Sequence, residues 1–502
     1  MRMKKLLLCL NLLLLFMNLA GLAQDTSHHV LQDTTHIQAT VDLQGSWDLT
    51  RCVQYAVANN ISVKQADVQA RIAKLTLDQS KLSQIPTLTV GTSAAINSGR
   101  FQNPTTYTLE TQTTFQNNLS LQTGVTLFNG FYLQRTIAAN KFAWLATLAN
   151  TDKLKNDISL NVANAYLQVL LANQTTAASL LQLHLSQNQL DLTLKQVRAG
   201  TLPELNAAEL ESQVAQDSST YITAKGNTVQ AVLTLKAYMD LDASTPFDVA
   251  TPPIEQIPIE KLADLEPESV YRLALANQPL QKMDALQIQS ANQTVRATKG
   301  AMYPVVSMFG NLGSNYLNTP GQKAVPYSFF TDTVGHVEGS GTPVTTPVPL
   351  YKYIDTKAPG YFTQINNYFA QAIGINVSIP ILNNGVLRTN YAKSKLNLRN
   401  QELQRDQDNL TLKENIYQAY TAAITALQKF EANKITVAAT QKSYDYAQKR
   451  YNVGMSNTID LLTNQNNFFN ARINLLSSQF DYVFKMKVLE YYKGLGIKLT
   501  KD

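Results

Sequence analysis

The chain repeats itself, and that constrains its architecture before any single motif does. Ala58-Asn59-Asn60 recurs as Ala276-Asn277-Gln278 and Pro86 as Pro304, both 218 residues later. Ala165-Tyr166 recurs as Ala419-Tyr420 and Gly200 as Gly454, both 254 residues later. The Leu-Phe-Asn-Gly of Leu127–Gly130 matches the Leu-Asn-Asn-Gly of Leu382–Gly385, one residue further out. A duplication implies one two-fold unit rather than a string of domains. The offset grows by 254 − 218 = 36, so the second copy holds an insertion between Pro304 and Ile381. The Gly/Pro/Thr-rich stretch 313–360 lies there, and insertions are tolerated where chain is exposed.

The N-terminus reads as a secretory signal peptide over residues 1–23: Arg2, Lys4 and Lys5, then an apolar run from Leu6 to Leu19, then Gly21-Leu22-Ala23. Cleavage is expected before Gln24. It would leave Cys52 as the one cysteine, excluding an internal disulfide, and no cysteine follows the cut to carry a lipid. It would also lower the formal charge from +6 by three, to +3, no footprint for nucleic acid. No later apolar run reaches the length of a membrane helix.

A polar leader (24–45) precedes the first repeat (46–243). Residues 47–83 read as one helix, capped by Asp48 or Thr50 and ended by Pro86. From Asn129 to Val197 there is no Pro and no Gly after Gly130, enough for roughly 100 Å of helix at 1.5 Å per residue, as one helix or two stacked. Val162, Val169, Leu183, Leu190 and Val197 keep a seven-residue register broken by Thr176. In the second copy Leu396, Leu403, Leu410, Tyr417 and Ile424 do the same, a coiled-coil seam. Each long helix should reverse at a short turn, 199–203 and 453–457. Gly200 and Gly454 are the stops. Thr201 or Leu202 is expected as the next cap with Pro203 at the first helical position, and Ser456 or Asn457 in the second copy. A Pro-rich linker (244–267) leads to the second repeat (268–496) and a short tail (497–502).

Strand signals fall in two places, a hairpin at about 85–128 and one at about 303–381 with a long loop over 317–362. Leu119, Leu121, Val125 and Leu127 alternate with polar residues. Phe369, Ile373, Ile375, Val377 and Ile379 alternate with small or polar ones. Such alternation over about ten residues is the pattern of a transmembrane strand. Tyr107, Phe115, Phe128 and Tyr132 flank one hairpin, and Tyr303, Tyr316, Tyr361 and Tyr368 the other, as an aromatic belt would. Four strands cannot close a barrel, and an open edge in lipid leaves backbone groups unpaired. Three copies would give twelve strands. The expected fold is therefore mainly α with a transmembrane β-barrel part: a duplicated helix–β-hairpin–helix repeat, building a trimeric twelve-stranded barrel with long coiled-coil helices.

Catalytic signatures are missing: no HExxH, GxSxG, Walker A loop or CxxC occurs. His28, His29 and His36 sit in the polar leader and His184 alone on a helix. Neither an enzyme nor a cofactor or metal is expected.

The repeated plan, the Ala-Tyr elements, the Leu-x-Asn-Gly steps and the turns around Gly200 and Gly454 together resemble the outer-membrane efflux proteins, the TolC-like channel-tunnels. The resemblance covers nearly all of the chain after residue 23. It implies a homotrimer in outer-membrane lipid whose helices form a long α-helical coiled-coil barrel, extending into the periplasm and nearly closed at the helical turns. It also implies a periplasmic adaptor (membrane fusion protein) docking on those turns and an inner-membrane transporter of RND, ABC or another class driving export of small molecules or polypeptides. On this resemblance Tyr451 and Asp460 match constriction residues, and Asn206 stands in the first copy where Asp460 stands in the second. Ser456 and Thr463 replace an arginine and an aspartate of the family pattern, so hydrogen bonds would carry the gate in place of salt bridges. Gly200, Thr201, Leu202, Pro203, Gly454, Met455 and Ser456 form the implied docking turns. The competing reading is a non-conducting periplasmic scaffold or adaptor, whose strands would be polar on both faces.

Overall fold

The computed structural model describes residues 46–102, 109–250, 259–318 and 321–494. The expected signal peptide, leader and tail, Tyr107 and the middle of the linker lie outside them. A small unit pairs Trp47 with Val249 in a parallel bridge, with the Trp47 and Phe247 rings 5.3 Å apart. Everything below belongs to the larger unit.

The first copy opens with α1 (Leu49–Asn59) and α2 (Ile61–Leu82), not with one helix. Asn60 breaks it: its backbone leaves the helical region (φ −56°, ψ 130°) and its side chain accepts from Ser62 N. Asn competes with the helix by bonding nearby backbone, which makes it a better cap than interior residue. The spare amide proton of Asn60 goes to Tyr238 O at 2.9 Å. The second copy breaks at the equivalent Gln278, between α5 (Pro267–Asn277) and α6 (Pro279–Gly300). Gln278 Nε2 donates to Tyr491 O at 2.7 Å, so both amides tie the break to the end of a return helix.

β1 (Thr87–Gln102) and β2 (Leu109–Phe128) follow, then α3 (Tyr132–Arg198) and α4 (Glu204–Met239). After α6 come β3 (Val305–Leu317), β4 (Gly321–His336), β5 (Pro343–Thr356), α7 (Tyr361–Asn367), β6 (Ala370–Ser378), α8 (Val386–Asn452) and α9 (Thr458–Tyr492). Helices α3 and α8 are each 67 residues long. Both start after two left-handed residues, Gly130-Phe131 and Asn384-Gly385. The backbone offset is therefore 254 from this step through the long helices, and the one-residue shift of the Leu-x-Asn-Gly match is a glycine moved within the same turn.

The main sheet is antiparallel in the order β1-β2-β3-β6. Its register puts Val90, Leu121 and Leu312 side by side, and likewise Val125, Met308 and Ile375. Side chains alternate between faces, so one face carries Leu88, Val90, Ile96, Leu119, Leu121, Val125, Ile373, Ile375 and Val377. The other carries Thr89, Ser93, Gln116, Asn118, Ser120, Gln122, Asn311 and Asn376. Ile373 is 77 % exposed and Val90 also 77 %, so among the described residues most of the apolar face is left uncovered.

A further expectation needs correction. The stretch 317–362 is not a structureless loop: β4 and β5 pair over most of their length into a two-stranded ribbon, and α7 follows. The prolines misled, because both strands of such a ribbon are edges, where Pro is tolerated. The second-copy heptad, read as a coiled-coil seam, faces away from the chain's own helices. Leu396, Leu403, Leu410 and Tyr417 are exposed, while α8 turns Leu412, Ile416 and Ala423 inward against Leu265, Val270, Met486 and Leu489. In the first copy Val162, Val169 and Leu183 are buried as expected.

Candidate functional site at the helical tips

Both helical hairpins reverse through the same capping geometry. Gly200 and Gly454 each have φ +74°. Gly200 N donates to Val197 O (2.9 Å) and Thr201 N to Gln196 O (3.0 Å); Gly454 N donates to Tyr451 O (3.0 Å) and Met455 N to Arg450 O (2.8 Å). These are Schellman turns, in which the left-handed residue is almost always Gly because a Cβ is penalised there. Pro203 is the N-cap of α4, extended at ψ 153°, rather than its first helical residue, and Glu204 opens the helix. Neither Thr201 nor Leu202 caps α4; the Thr201 hydroxyl instead bonds back to Gln196 O. In the second turn Asn457 caps α9, accepting from Asp460 N at 2.7 Å.

Asp460 sits exposed in the first turn of α9 and accepts from Ser456 Oγ at 3.2 Å. Its carboxylate is stabilised there by the helix N-terminus. The Tyr451 hydroxyl lies 3.4 Å from Thr193 Oγ1, which joins α8 to α3 across the two copies. Asn206 is half-buried on α4, its N–H bonded to Pro203 O at 3.2 Å. The three expected gate residues thus share one end of the helices, but only Tyr451 bridges the two hairpins. The turns also expose apolar side chains: Leu205, Val453, Met455 and Ile459.

About two to four turns in from the tip is a buried polar network that the sequence reading missed. Ser186 Oγ donates to Asp217 Oδ2 at 2.5 Å, and Gln213 Nε2 to Asp217 Oδ1 at 2.9 Å. Gln465 Nε2 reaches Ser186 Oγ at 3.3 Å, and Asn466 and Gln213 exchange bonds of 3.1 and 3.2 Å. Three helices, α3, α4 and α9, are joined this way. The clue was present: Gln182, Ser186 and Thr193 are polar residues on the buried side of α3. A buried carboxylate needs such donors, since leaving it unpaired is costly.

The comparisons agree with this geometry. The Outer membrane efflux protein family matches residues 52–240 and 270–483, one segment for each copy. The Outer membrane efflux protein BepC of Brucella suis is 23 % identical over 439 residues, covering 87 % of this chain and 82 % of that protein. The Outer membrane protein TolC of Salmonella enteritidis is 20 % identical over 387 residues, covering 76 % and 69 %. Among solved structures, CusC superposes with TM-score 0.71 at 15 % identity over 91 % of this chain and 96 % of that one. The Campylobacter jejuni CmeC channel gives 0.70 at 17 % identity, over 90 % and 87 %. With both of its repeats matched and its fold shared, the chain belongs to the outer membrane efflux protein family.

Proposed function

We propose that three copies of this chain close one pore, and that a periplasmic adaptor docks on its helical turns to open it for an inner-membrane transporter. As a member of its family the chain is an outer-membrane efflux channel extending into the periplasm. The observation that carries the trimer is the four-stranded sheet. It has one apolar face, one polar face and two outer strands, β1 and β6, unpaired on their far sides. In lipid such edges must be satisfied, and joining β6 of one copy to β1 of the next does so. The exposed Leu396, Leu403, Leu410 and Tyr417 give the same neighbours a seam along the helices. The scaffold reading fails on the sheet, since a soluble adaptor domain has no use for an uncovered apolar face.

The exposed Leu205, Val453, Met455 and Ile459 support adaptor docking at the turns, because exposed apolar patches rimmed by polar residues mark interaction sites. Tyr451, Asn206 and Asp460 are proposed as the gate, with hydrogen bonds holding it shut. The cargo is small molecules or polypeptides, moved without chemistry by the channel itself. The testing experiment is fractionation plus electrophoresis. The protein should float with outer membrane and run as a heat-labile trimer; a monodisperse soluble periplasmic monomer overturns the reading.

A further inference from the structure

The short helix α7 lies on the outside of the sheet, across the ends of β2 and β3. Tyr361 Oη donates to Asn117 Oδ1 at 2.7 Å, Ser314 Oγ donates to Ile365 O at 2.6 Å, and the Tyr361 ring stands 5.0 Å from that of Tyr316. By the strand register, Asn117, Ser314 and Tyr316 belong to the same face as Leu121 and Leu312, the apolar one. Asn117 and Ser314 are two polar interruptions of that face, and α7 covers and satisfies both. Gln364, only 3 % exposed, fixes the helix: it accepts from Leu317 N (3.0 Å) and donates to Leu317 O (3.0 Å) and Pro359 O (2.9 Å).

Outward, α7 and the residues after it present Phe362, 84 % exposed, with Tyr368 and Phe369 also exposed and no charged side chain between Gly360 and Ala370. β6 starts directly below and is nine residues long, about what a tilted strand needs to cross the hydrocarbon layer. That length sets α7 at the far boundary of the bilayer, where aromatic side chains are favoured. Its exposed surface continues the apolar band of Ile373, Ile375 and Val377.

We propose that α7 is a lipid-seated collar: it lies in the headgroup region of the outer leaflet with Phe362 entering the acyl boundary, anchoring the rim of the barrel at that depth. The occupant of its exposed face is membrane lipid, not a neighbouring copy or a soluble partner. The inference rests on the sheet spanning the outer membrane, and the test separates the two.

Nitroxide labels are placed singly at Phe362→Cys, Tyr368→Cys, Ile373→Cys and Phe329→Cys in full-length trimer reconstituted into phosphatidylcholine vesicles. The native Cys52 is fully buried and stays unlabelled. Collision with oxygen, which concentrates in lipid, is compared with collision with a water-soluble nickel chelate. The expected result is a lipid-like ratio at 373, a water-like ratio at 329 on the ribbon, and ratios at 362 and 368 several-fold above that at 329. A lipid-like 373 with water-like 362 and 368 overturns the collar and leaves the barrel standing. Low access to both reagents at 362 and 368 means a neighbouring copy covers α7, and also overturns it. A water-like 373 overturns the membrane-spanning sheet and the collar with it. Each labelled variant is checked for the heat-labile trimer band before measurement.

Discussion

Gly130 and Gly300 meet backbone to backbone. A Cβ on Gly300 would stand 2.5 Å from Gly130 O, and one on Gly130 would stand 2.2 Å from Gly300 O. The first lies in the left-handed step into α3, the second at the end of α6, so the two copies touch where sheet gives way to helix. In a helix Ala normally outperforms Gly by about 1 kcal/mol, but here the methyl must push main chain aside. Gly300→Ala should lower trimer stability by about 1–3 kcal/mol, the usual scale of overpacking. Gly226→Ala, on α4 with open space around it, should raise stability by up to about 1 kcal/mol. Thermal melts of the detergent-solubilised trimer check the pair, and equal signs would refute the close approach.

At the tips, Tyr451 is the residue that reaches between hairpins. Tyr451→Phe with Asn206→Ala should raise single-channel conductance in planar bilayers, and Thr193→Val should reproduce part of the effect by removing the other end of the 3.4 Å contact. Each bond is worth only about 1 kcal/mol, yet three copies act on one closure. No change in either variant places the constriction elsewhere.

Asp460→Asn should chiefly weaken cation preference and block by multivalent cations, since three carboxylates around a narrow opening concentrate positive charge. Reversal-potential measurements in a salt gradient read this directly. The Ser456 bond can form to either side chain, so the turn itself should survive. Unchanged selectivity makes Asp460 an ordinary first-turn carboxylate.

Asp284, buried on α6, is pushed up to about 6, first by burial and then by the nearby charge of Asp408; Arg405 pulls the other way. The folded value stands above the unfolded one of about 3.9. The contribution to stability is thus fully present below pH ~4 and is lost as pH rises through about 6. Asp284→Asn should melt above the parent at pH 7.5, and the gap should close as pH falls towards 4. A gap independent of pH would exclude titration of this carboxylate.

The ribbon's far turn, where Gly339 and Gly341 have φ +93° and +64°, is fully exposed. An epitope inserted between Ser340 and Gly341 should be reached by antibody on intact cells and leave the trimer band unchanged. Labelling only after the outer membrane is permeabilised would put the ribbon on the periplasmic side.

Much of this fold was legible in the sequence because it depends on local rules applied twice. Period-two alternation around Leu121 and Ile375 marks strands, and the absence of Pro and Gly over α3 and α8 marks long helices. Gly200 and Gly454 are legible because left-handed turns select glycine. What stayed hidden depends on partners. The Asn60 break is supported by Tyr238, 178 residues away, and the Asp217 network needs three helices in place. The ribbon was hidden for a different reason: Pro and Gly rich chain reads as loop unless one knows that it has only edges. At the tip, the family resemblance implied three gate members, of which Tyr451 alone contacts the other hairpin, through Thr193.

The equal lengths of α3 and α8 have a consequence for how such a chain can change. Each helix leaves the same left-handed step and ends in the same turn after the same number of residues, so the two copies act as matched rulers. A deletion in one alone would leave its turn stranded short of the other and pull the Thr193 and Tyr451 hydroxyls out of step. The tolerant site is the far side of the sheet, where 36 extra residues were added without altering either ruler. Length variation that preserves the tip must come in pairs, one change in each copy and in whole heptads, or be confined to the rim.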